Sequence, residues 1–127
     1  MTPSGLSLLG LVKHLGETEY HWFCQTFGRE TEPLPMDADD YHDDDPWITD
    51  DDTTDSVLGF YARARAAADE VIADLSLDAI GSTWSGKPIA LRASLIELIE
   101  ETARHAGHAD ILRELLDTTV GDHNRDA

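Results

Sequence analysis

The chain has 127 residues, a length that suits one domain with a single hydrophobic core. Its formal net charge is −17, because 26 acidic residues outnumber nine lysines and arginines. Such a surface repels nucleic-acid phosphates and anionic lipid, so we expect no nucleic-acid partner and no membrane partner. Aspartate-rich composition is also typical of high-GC or salt-adapted genomes, in which case the charge says nothing about partners.

Cys24 is the only cysteine, which excludes an intrachain disulfide and suits a reducing compartment. We expect it to be a small apolar side chain near a helix end rather than a nucleophile. The sequence has no apolar run long enough to span a bilayer, and its beginning lacks the pattern of a signal peptide. These features predict a cytoplasmic protein.

The first predicted helix begins near Ser4, after a capping Thr2 and Pro3, and ends near Phe27 with Gly28 as the stop signal. Its apolar residues alternate at spacings of three and four, which indicates one face of a helix. The members of this face are Leu8, Leu11, Leu15, Thr18 and Trp22.

An acidic connector follows over residues 29–52, where periodicity disappears and nine aspartates surround three prolines. Neither a helix nor a strand is favoured there. The run lacks the spaced ligands, turn glycine and terminal glutamate of an EF-hand loop, so we expect a solvated loop rather than a calcium site. Tyr41 and Trp47 are the residues that could dock part of it on the rest of the protein.

Two more helices complete an all-α prediction. The second begins near Thr53 or Thr54, and its apolar face contains Val57, Tyr61, Ala64, Ala68, Val71 and Leu75. Residues 76–90 form a connector with turns and a short extended piece near Trp84. The third helix runs from about Leu91 to Thr118, with an apolar face of Leu91, Leu95, Leu98, Thr102, His105, Ala109, Leu112 and Leu116. The predicted domain spans residues 1–121, and residues 122–127 form a polar tail.

Glu101 and His105 lie four residues apart on the third helix, so they point from one face and can reach a common atom. Leu98 and Leu112 share this face, which puts the Glu101 carboxylate at the edge of a core. A carboxylate there is costly unless it is paired, hydrogen-bonded or bound to a metal. Taken alone, this spacing is more typical of a side-chain pair than of a ligand pair.

The first helix offers His14 at the edge of its apolar face and His21 two turns further on. A facing histidine added to Glu101 and His105 makes three nitrogen and oxygen ligands and leaves one coordination position open, as in catalytic zinc sites. Zinc is the expected metal, and nickel, iron and manganese also suit a carboxylate ligand. His108 could replace Glu101 as a ligand, form a hydrogen bond to His105 or line the site.

Residues 99–114 closely resemble a signature of an actinobacterial branch of the DinB/YfiT-like metalloenzyme superfamily. The run Glu-Glu-Thr-Ala-Arg-His within them is the most specific part of this resemblance. Other stretches match patterns of the same branch, so that the resemblance covers nearly the whole chain: residues 8–15, Glu19, residues 22–23, residues 76–78 and residues 91–92.

This resemblance implies a DinB-like four-helix bundle with a metal held near one end by three side chains. The usual ligands are three histidines, and relatives such as mycothiol-dependent maleylpyruvate isomerase replace one of them with glutamate. Matched by position, the ligands here are His14, Glu101 and His105. The resemblance further implies a divalent-metal-dependent enzyme that acts on a small molecule by transfer or isomerisation, using a low-molecular-weight thiol such as mycothiol.

The metal would lower the pKa of a bound thiol or water so that the anion exists near neutral pH. The candidates for proton transfer or for binding an anionic group are His108, Arg104 and His21, and nothing in the sequence chooses among them.

Two features depart from the family pattern. Relatives carry a helix before the segment that corresponds to our first helix, whereas this sequence starts at Met1 almost on that segment. We therefore expect three long helices in this chain. The usual first helix of the bundle is missing either because the start of the sequence is placed too late or because a second copy supplies that side of the bundle. A three-helix version exposes apolar surface, which favours a homodimer. Ala93 also stands where relatives commonly carry tryptophan.

The main alternative is a non-catalytic, stress-associated metal-binding bundle that works as a dimeric scaffold or sensor. A third hypothesis is that a metal-bound hydroxide at the same site hydrolyses an amide or ester. The sequence contains no G-x-S-x-G motif, P-loop or dinucleotide fingerprint that would indicate another class of enzyme.

Overall fold

The computed structural model describes residues 7–34 and 47–117. In chain order these ranges contain helix α1 (Leu8–Tyr20), a π-helical segment (His21–Gln25), helix α2 (Thr54–Asp74), strands β1 (Ile80–Ser82) and β2 (Pro88–Ala90), and helix α3 (Leu91–Asp117). The predicted all-α class and the three long helices are confirmed within the described ranges. One short hairpin is added between α2 and α3.

The first helix begins at Leu8 rather than near Ser4. Ser7 has extended backbone angles, and its side chain accepts a hydrogen bond from the Gly10 amide, so it caps the helix. The helical run closes at Gly28, as predicted, where the backbone turns left-handed with φ 67°. There the Arg29 amide donates to the Cys24 carbonyl, a Schellman-type ending that glycine permits.

The bounds of α2 and the start of α3 agree with the sequence predictions. Thr53 caps α2 in a reciprocal box, because its hydroxyl accepts from the Ser56 amide while the Ser56 hydroxyl accepts from the Thr53 amide. Helix α3 starts at Leu91, directly after β2. The helix end predicted at Thr118 lies outside the described residues.

The extended piece predicted near Trp84 is misplaced. Strands β1 and β2 pair on either side of it, with Gly81 opposite Ile89, and Trp84 lies in the intervening turn with 85% of its surface exposed. The turn is set by local backbone geometry, since Gly86 adopts φ 82° and its amide donates to the Thr83 carbonyl. This local preference overrides the β propensity of the tryptophan.

Helix α1 lies between the other two helices. It runs parallel to α2 and approaches it closely at Gly16, where a Cβ atom would lie 2.9 Å from the Phe60 ring and 3.4 Å from the Tyr61 backbone. It runs antiparallel to α3, because Leu11 clusters with Leu112 while residues further along α1 cluster with the first half of α3. The backbones of α2 and α3 lie close to each other at few positions, although side chains of both helices belong to the main core.

Most of the apolar faces are buried as predicted, and the exceptions lie on α1 and α3. The main core consists of Tyr20, Phe23, Cys24, Leu34, Phe60, Ala64, Ala68, Val71, Leu91 and Leu98. Leu8 and Leu116 are exposed, as is Thr102 near the middle of α3, contrary to the predicted faces. Since α3 packs mainly on α1, only the part of its surface that faces α1 is covered.

A charged pair is buried where the acidic connector meets α1. The Lys13 side chain is only 2% exposed, and its Nζ donates to Asp52 Oδ2 at 2.7 Å. The same oxygen accepts from the Thr49 amide at 2.8 Å. A buried ammonium is costly without such an ion pair, so this contact ties the end of the connector to α1.

The predicted acidic connector is described only at its two ends, residues 29–34 and 47–52. Tyr41, the end of the predicted domain at Gly121 and the polar tail 122–127 lie outside the described residues, so the domain bounds remain predictions. None of the helices in the described ranges is long and apolar enough to cross a membrane.

We expect the Lys13–Asp52 pair to make the fold sensitive to acid. Partial burial raises the pKa of Asp52, but hydrogen bonds from Lys13 and Thr49 outweigh this effect and leave that pKa below its usual value. Such a carboxyl stabilises the fold fully above the unfolded-chain pKa of about 3.9. The contribution is lost as the pH falls through the lower, folded-state pKa.

Chemical unfolding of the wild type and of Asp52→Asn, followed from neutral to acidic pH, measures this effect. The variant should lose about 3 kcal/mol at neutral pH, because it leaves a buried ammonium without its counter-charge. The difference between the two proteins should shrink below about pH 4. A difference that stays constant over the whole range would contradict the assignment.

Candidate metal centre

His14 of α1 and Glu101 and His105 of α3 converge between the two helices. Each offers one potential ligand atom, and these three atoms all lie within 4.8 Å of one another. His105 Nε2 lies 3.1 Å from Glu101 Oε2, and the rings of His14 and His105 meet edge to face with centroids 4.7 Å apart. The antiparallel packing of α1 on α3 therefore brings together the three residues singled out from the sequence.

The donor set fits a divalent metal. Two imidazoles and one carboxylate around a tetrahedral zinc ion, with bonds of about 2.0–2.2 Å, would hold their ligand atoms roughly 3.4 Å apart. The spacing of Glu101 and His105 already meets this value, and the widest separation in the cluster needs side-chain adjustments of roughly 1 Å. Three protein ligands leave a position open for a small molecule.

The environment of the cluster favours the metal-binding form of His14. His105 is buried, while Glu101 and His14 are half-buried. Burial lowers the pKa of His14, the neighbouring His105 lowers it further, and the carboxylate of Glu101 opposes both. The neutral imidazole, which is the form that ligates metals, is therefore favoured at His14.

His108 and Arg104 lie on α3 beside the cluster rather than in it. His108 Nδ1 is 3.2 Å from His105 Nδ1, so a hydrogen bond between them can hold the ring of His105 while its Nε2 faces Glu101. The Arg104 side chain is 67% exposed, and its guanidinium is 3.9 Å from Glu101 Oε1. Both candidates are thus neighbours of the predicted ligands.

His21 lies outside the three-residue cluster. Its Nδ1 is 2.8 Å from the side-chain oxygen of Gln25, within the π-helical segment. His21 and His14 both line a small cavity of about 90 Å³, together with Glu17, Thr18 and Trp22. His21 is therefore positioned to face a molecule in this cavity rather than to share an ion with His14.

Trp47 is the part of the site whose role the sequence did not reveal. Its indole is stacked on the His14 ring, with centroids 4.4 Å apart and an interplanar angle of 9°, and it also meets His105 at a right angle. The sequence prediction that Trp47 could dock on the bundle is confirmed. An isolated aromatic residue in a polar segment was the only available signal, and it did not indicate a metal centre.

Cys24 takes no part in this site. It is fully buried in the main core, and burial raises the pKa of its thiol to about 11, with nearby glutamates adding to the effect. The thiol stays protonated at neutral pH, which agrees with the predicted apolar packing role.

An apolar groove of about 470 Å³ lies where α2 and α3 diverge. Glu19 stands at this groove, and its pKa is raised by burial, with Arg65 opposing. The lining residues are Glu19, Phe23, Ile72, Leu95, Leu98, Ile99, Thr102, Ala103 and Ala106.

Comparison with known proteins gives one match, which is to a family model. No curated protein and no solved structure matches this sequence. The model of one family, described as mycothiol-S-transferase, matches residues 1–118 and thus nearly the whole chain, in agreement with the DinB/YfiT-like resemblance. The chain belongs to the mycothiol-S-transferase family.

Proposed function

We propose that this protein is a divalent-metal-dependent transferase that joins a low-molecular-weight thiol of the mycothiol type to a small electrophile. His14, Glu101 and His105 would hold the metal, with zinc as the expected ion. The convergence of these three side chains from two antiparallel helices is the observation that carries the proposal. Membership in the mycothiol-S-transferase family supports the choice of thiol.

The proposed reaction needs a thiol that has lost its proton near neutral pH. A divalent ion at this site would supply positive charge that lowers the pKa of a coordinated thiol. The sulfur then forms a bond to an electrophilic carbon, and the leaving group departs with its electron pair. The thiol proton passes to a base, for which His21 and His108 are candidates, while Arg104 could bind an anionic part of the substrate.

The buried surroundings suit this chemistry. His105 is held by neighbours on both ring nitrogens, Glu101 on one side and His108 on the other, so its ring orientation is restrained before any ligand binds. A reduced thiol cofactor requires a reducing compartment, in keeping with the cytoplasmic location expected from the sequence.

The metal ligands are tested by preparing the protein without a histidine tag and measuring bound metal and zinc affinity. Loss of an outer hydrogen-bond partner costs about 10–100-fold in affinity, so loss of a ligand should cost more than about 100-fold. We expect this larger loss for Glu101→Ala and His105→Ala. His108→Ala should show the smaller loss.

His21→Ala is the matched control, because it removes a histidine from the same helical run as His14 but outside the cluster. It should retain the metal affinity of the wild type. Full metal occupancy in both Glu101→Ala and His105→Ala would rule out the proposed site.

The thiol is tested by thermal unfolding of the metal-loaded protein with mycothiol, bacillithiol or glutathione. A ligand at about 100 times its Kd stabilises the folded state by about 2.7 kcal/mol, which raises Tm by several degrees in a domain of this size. We expect the largest shift with mycothiol, and a much smaller one in metal-free protein. A response to none of the thiols would favour a non-catalytic metal-binding bundle instead.

We also propose that the protein is a homodimer in which a second copy covers the groove between α2 and α3. The lining of this groove is mostly apolar and includes Ile99, which is 69% exposed, and Ile96 elsewhere on α3 is 55% exposed. Burial of such side chains favours association. The charge of −17 opposes it, so the association should strengthen when salt screens the repulsion.

Sedimentation at several salt concentrations tests this dimer. Ile99→Glu should shift the protein towards monomer, because Ile99 lines the groove and the substitution buries a charge in the proposed interface. Leu58→Glu, at an exposed leucine of α2 outside the groove, is the control and should leave the association unchanged. A monomeric wild type at high salt and high protein concentration would exclude the dimer.

A further inference from the structure

The indole of Trp47 covers the face of the His14 ring almost in parallel, at a centroid distance of 4.4 Å. A metal bonds to an imidazole nitrogen in the plane of the ring, along its lone pair. An aromatic ring stacked on the face therefore leaves the ligating nitrogen accessible while it restricts rotation of the imidazole. Trp47 also meets the His105 ring at 90°, so one indole contacts both histidines of the cluster.

Trp47 is held in place from two directions. Its indole packs against the small core cluster of Leu11 and Leu112, which joins α1 to α3 next to the metal centre. In the chain, Trp47 begins a short segment, residues 47–52, that leads directly to the capping Thr53 of α2. We call residues 47–52 the strap.

The far end of the strap is fixed by the buried ion pair. Asp52 Oδ2 accepts from Lys13 Nζ at 2.7 Å and from the Thr49 amide at 2.8 Å, and the Asp52 amide donates to the Thr49 carbonyl at 3.1 Å. One carboxylate thus closes the turn of the strap and joins it to α1. Lys13 precedes His14, so the anchor and the stacked ring belong to adjacent residues of one helix.

We propose that Trp47 is a positioning residue for the metal centre, and that the Lys13–Asp52 pair is the anchor that keeps its indole on His14. This inference rests on the proposed metal site and adds a residue that contacts ligands without binding the metal. Stacking would lower the cost of ordering the His14 ring when metal binds. It would also exclude water from one side of the centre.

A purely structural role for Trp47 makes a different prediction. If the indole served only to fill space between Leu11 and Leu112, its removal would lower stability without changing the metal affinity of the folded protein. A positioning role requires a change in metal affinity and coordination geometry, and a planar ring should restore both.

The first arm of the experiment uses metal-free protein and NMR. Stacking on an indole shifts the ring protons of His14 upfield, and this shift should disappear in Trp47→Ala and persist, though smaller, in Trp47→Phe. It should also diminish in the double variant Lys13→Met with Asp52→Leu, which replaces the ion pair by apolar side chains so that the fold is retained. Unchanged His14 signals in the double variant would overturn the anchor.

The second arm measures zinc affinity and the visible spectrum of the cobalt-loaded protein. Trp47→Ala should bind zinc about 10-fold more weakly and alter the cobalt spectrum, while Trp47→Phe should restore both towards the wild type. The double variant should lose roughly threefold to tenfold in affinity. Arg63→Ala is the matched control, because it breaks the exposed pair with Glu32 beside the same strap and should change affinity by less than about twofold.

The outcomes separate the two proposals. If the wild type binds zinc and folded Trp47→Ala binds it equally well with an unchanged cobalt spectrum, the positioning role is wrong and the metal site stands. If the wild type binds no divalent metal, both the metal site and the positioning role fail. Loss of affinity in Trp47→Ala together with rescue by Trp47→Phe supports the inference.

Discussion

Helix α1 is the element on which the rest of the bundle depends, because both α2 and α3 pack on it while their own backbones lie close to each other at few positions. It packs in parallel on α2, where Gly16 permits a close approach to Phe60, and antiparallel on α3, where Leu11 meets Leu112. These two contacts require different residues on two sides of one short helix. One side must be small and shaped for α2, while another must present His14 to α3.

The candidate metal centre and the buried ion pair are consequences of this arrangement. The antiparallel packing on α3 brings His14 to Glu101 and His105, whose own separation follows from the helical repeat. Lys13, the preceding residue, points into the contact with the end of the acidic connector and pairs with Asp52. A carboxylate from the most acidic part of the chain thus stabilises the fold next to the centre, although the surface charge as a whole opposes compactness.

The same arrangement leaves apolar surface where α2 and α3 diverge. A bundle whose central helix contacts two others on different sides covers only part of each outer helix, and α3 therefore keeps exposed isoleucines along its length. Burial of such a surface favours association, whereas the chain's charge of −17 opposes it by electrostatic repulsion. The groove and the candidate metal centre are lined by separate sets of residues, although both include parts of α1 and α3.

The sequence by itself determined the three helices, most of their apolar faces and the three residues of the candidate centre. The helices and their faces follow from local rules, namely helical periodicity and the caps at Thr53 and Gly28. The four-residue spacing puts Glu101 and His105 on one face, and only the resemblance to the DinB/YfiT-like superfamily selected His14 as their partner. The start of α1 at Leu8 and the hairpin around Trp84 depend on local contacts that the sequence prediction missed, the Ser7 cap and the turn at Gly86. Only the tertiary structure decided the burial of Lys13 and the stacking of Trp47 on His14. These last contacts join residues far apart in the chain, and a polar connector carries no periodicity from which its contacts could be predicted. The energies of these contacts depend on which groups are buried together. The packing of α1 against α2 and α3 determines which groups those are.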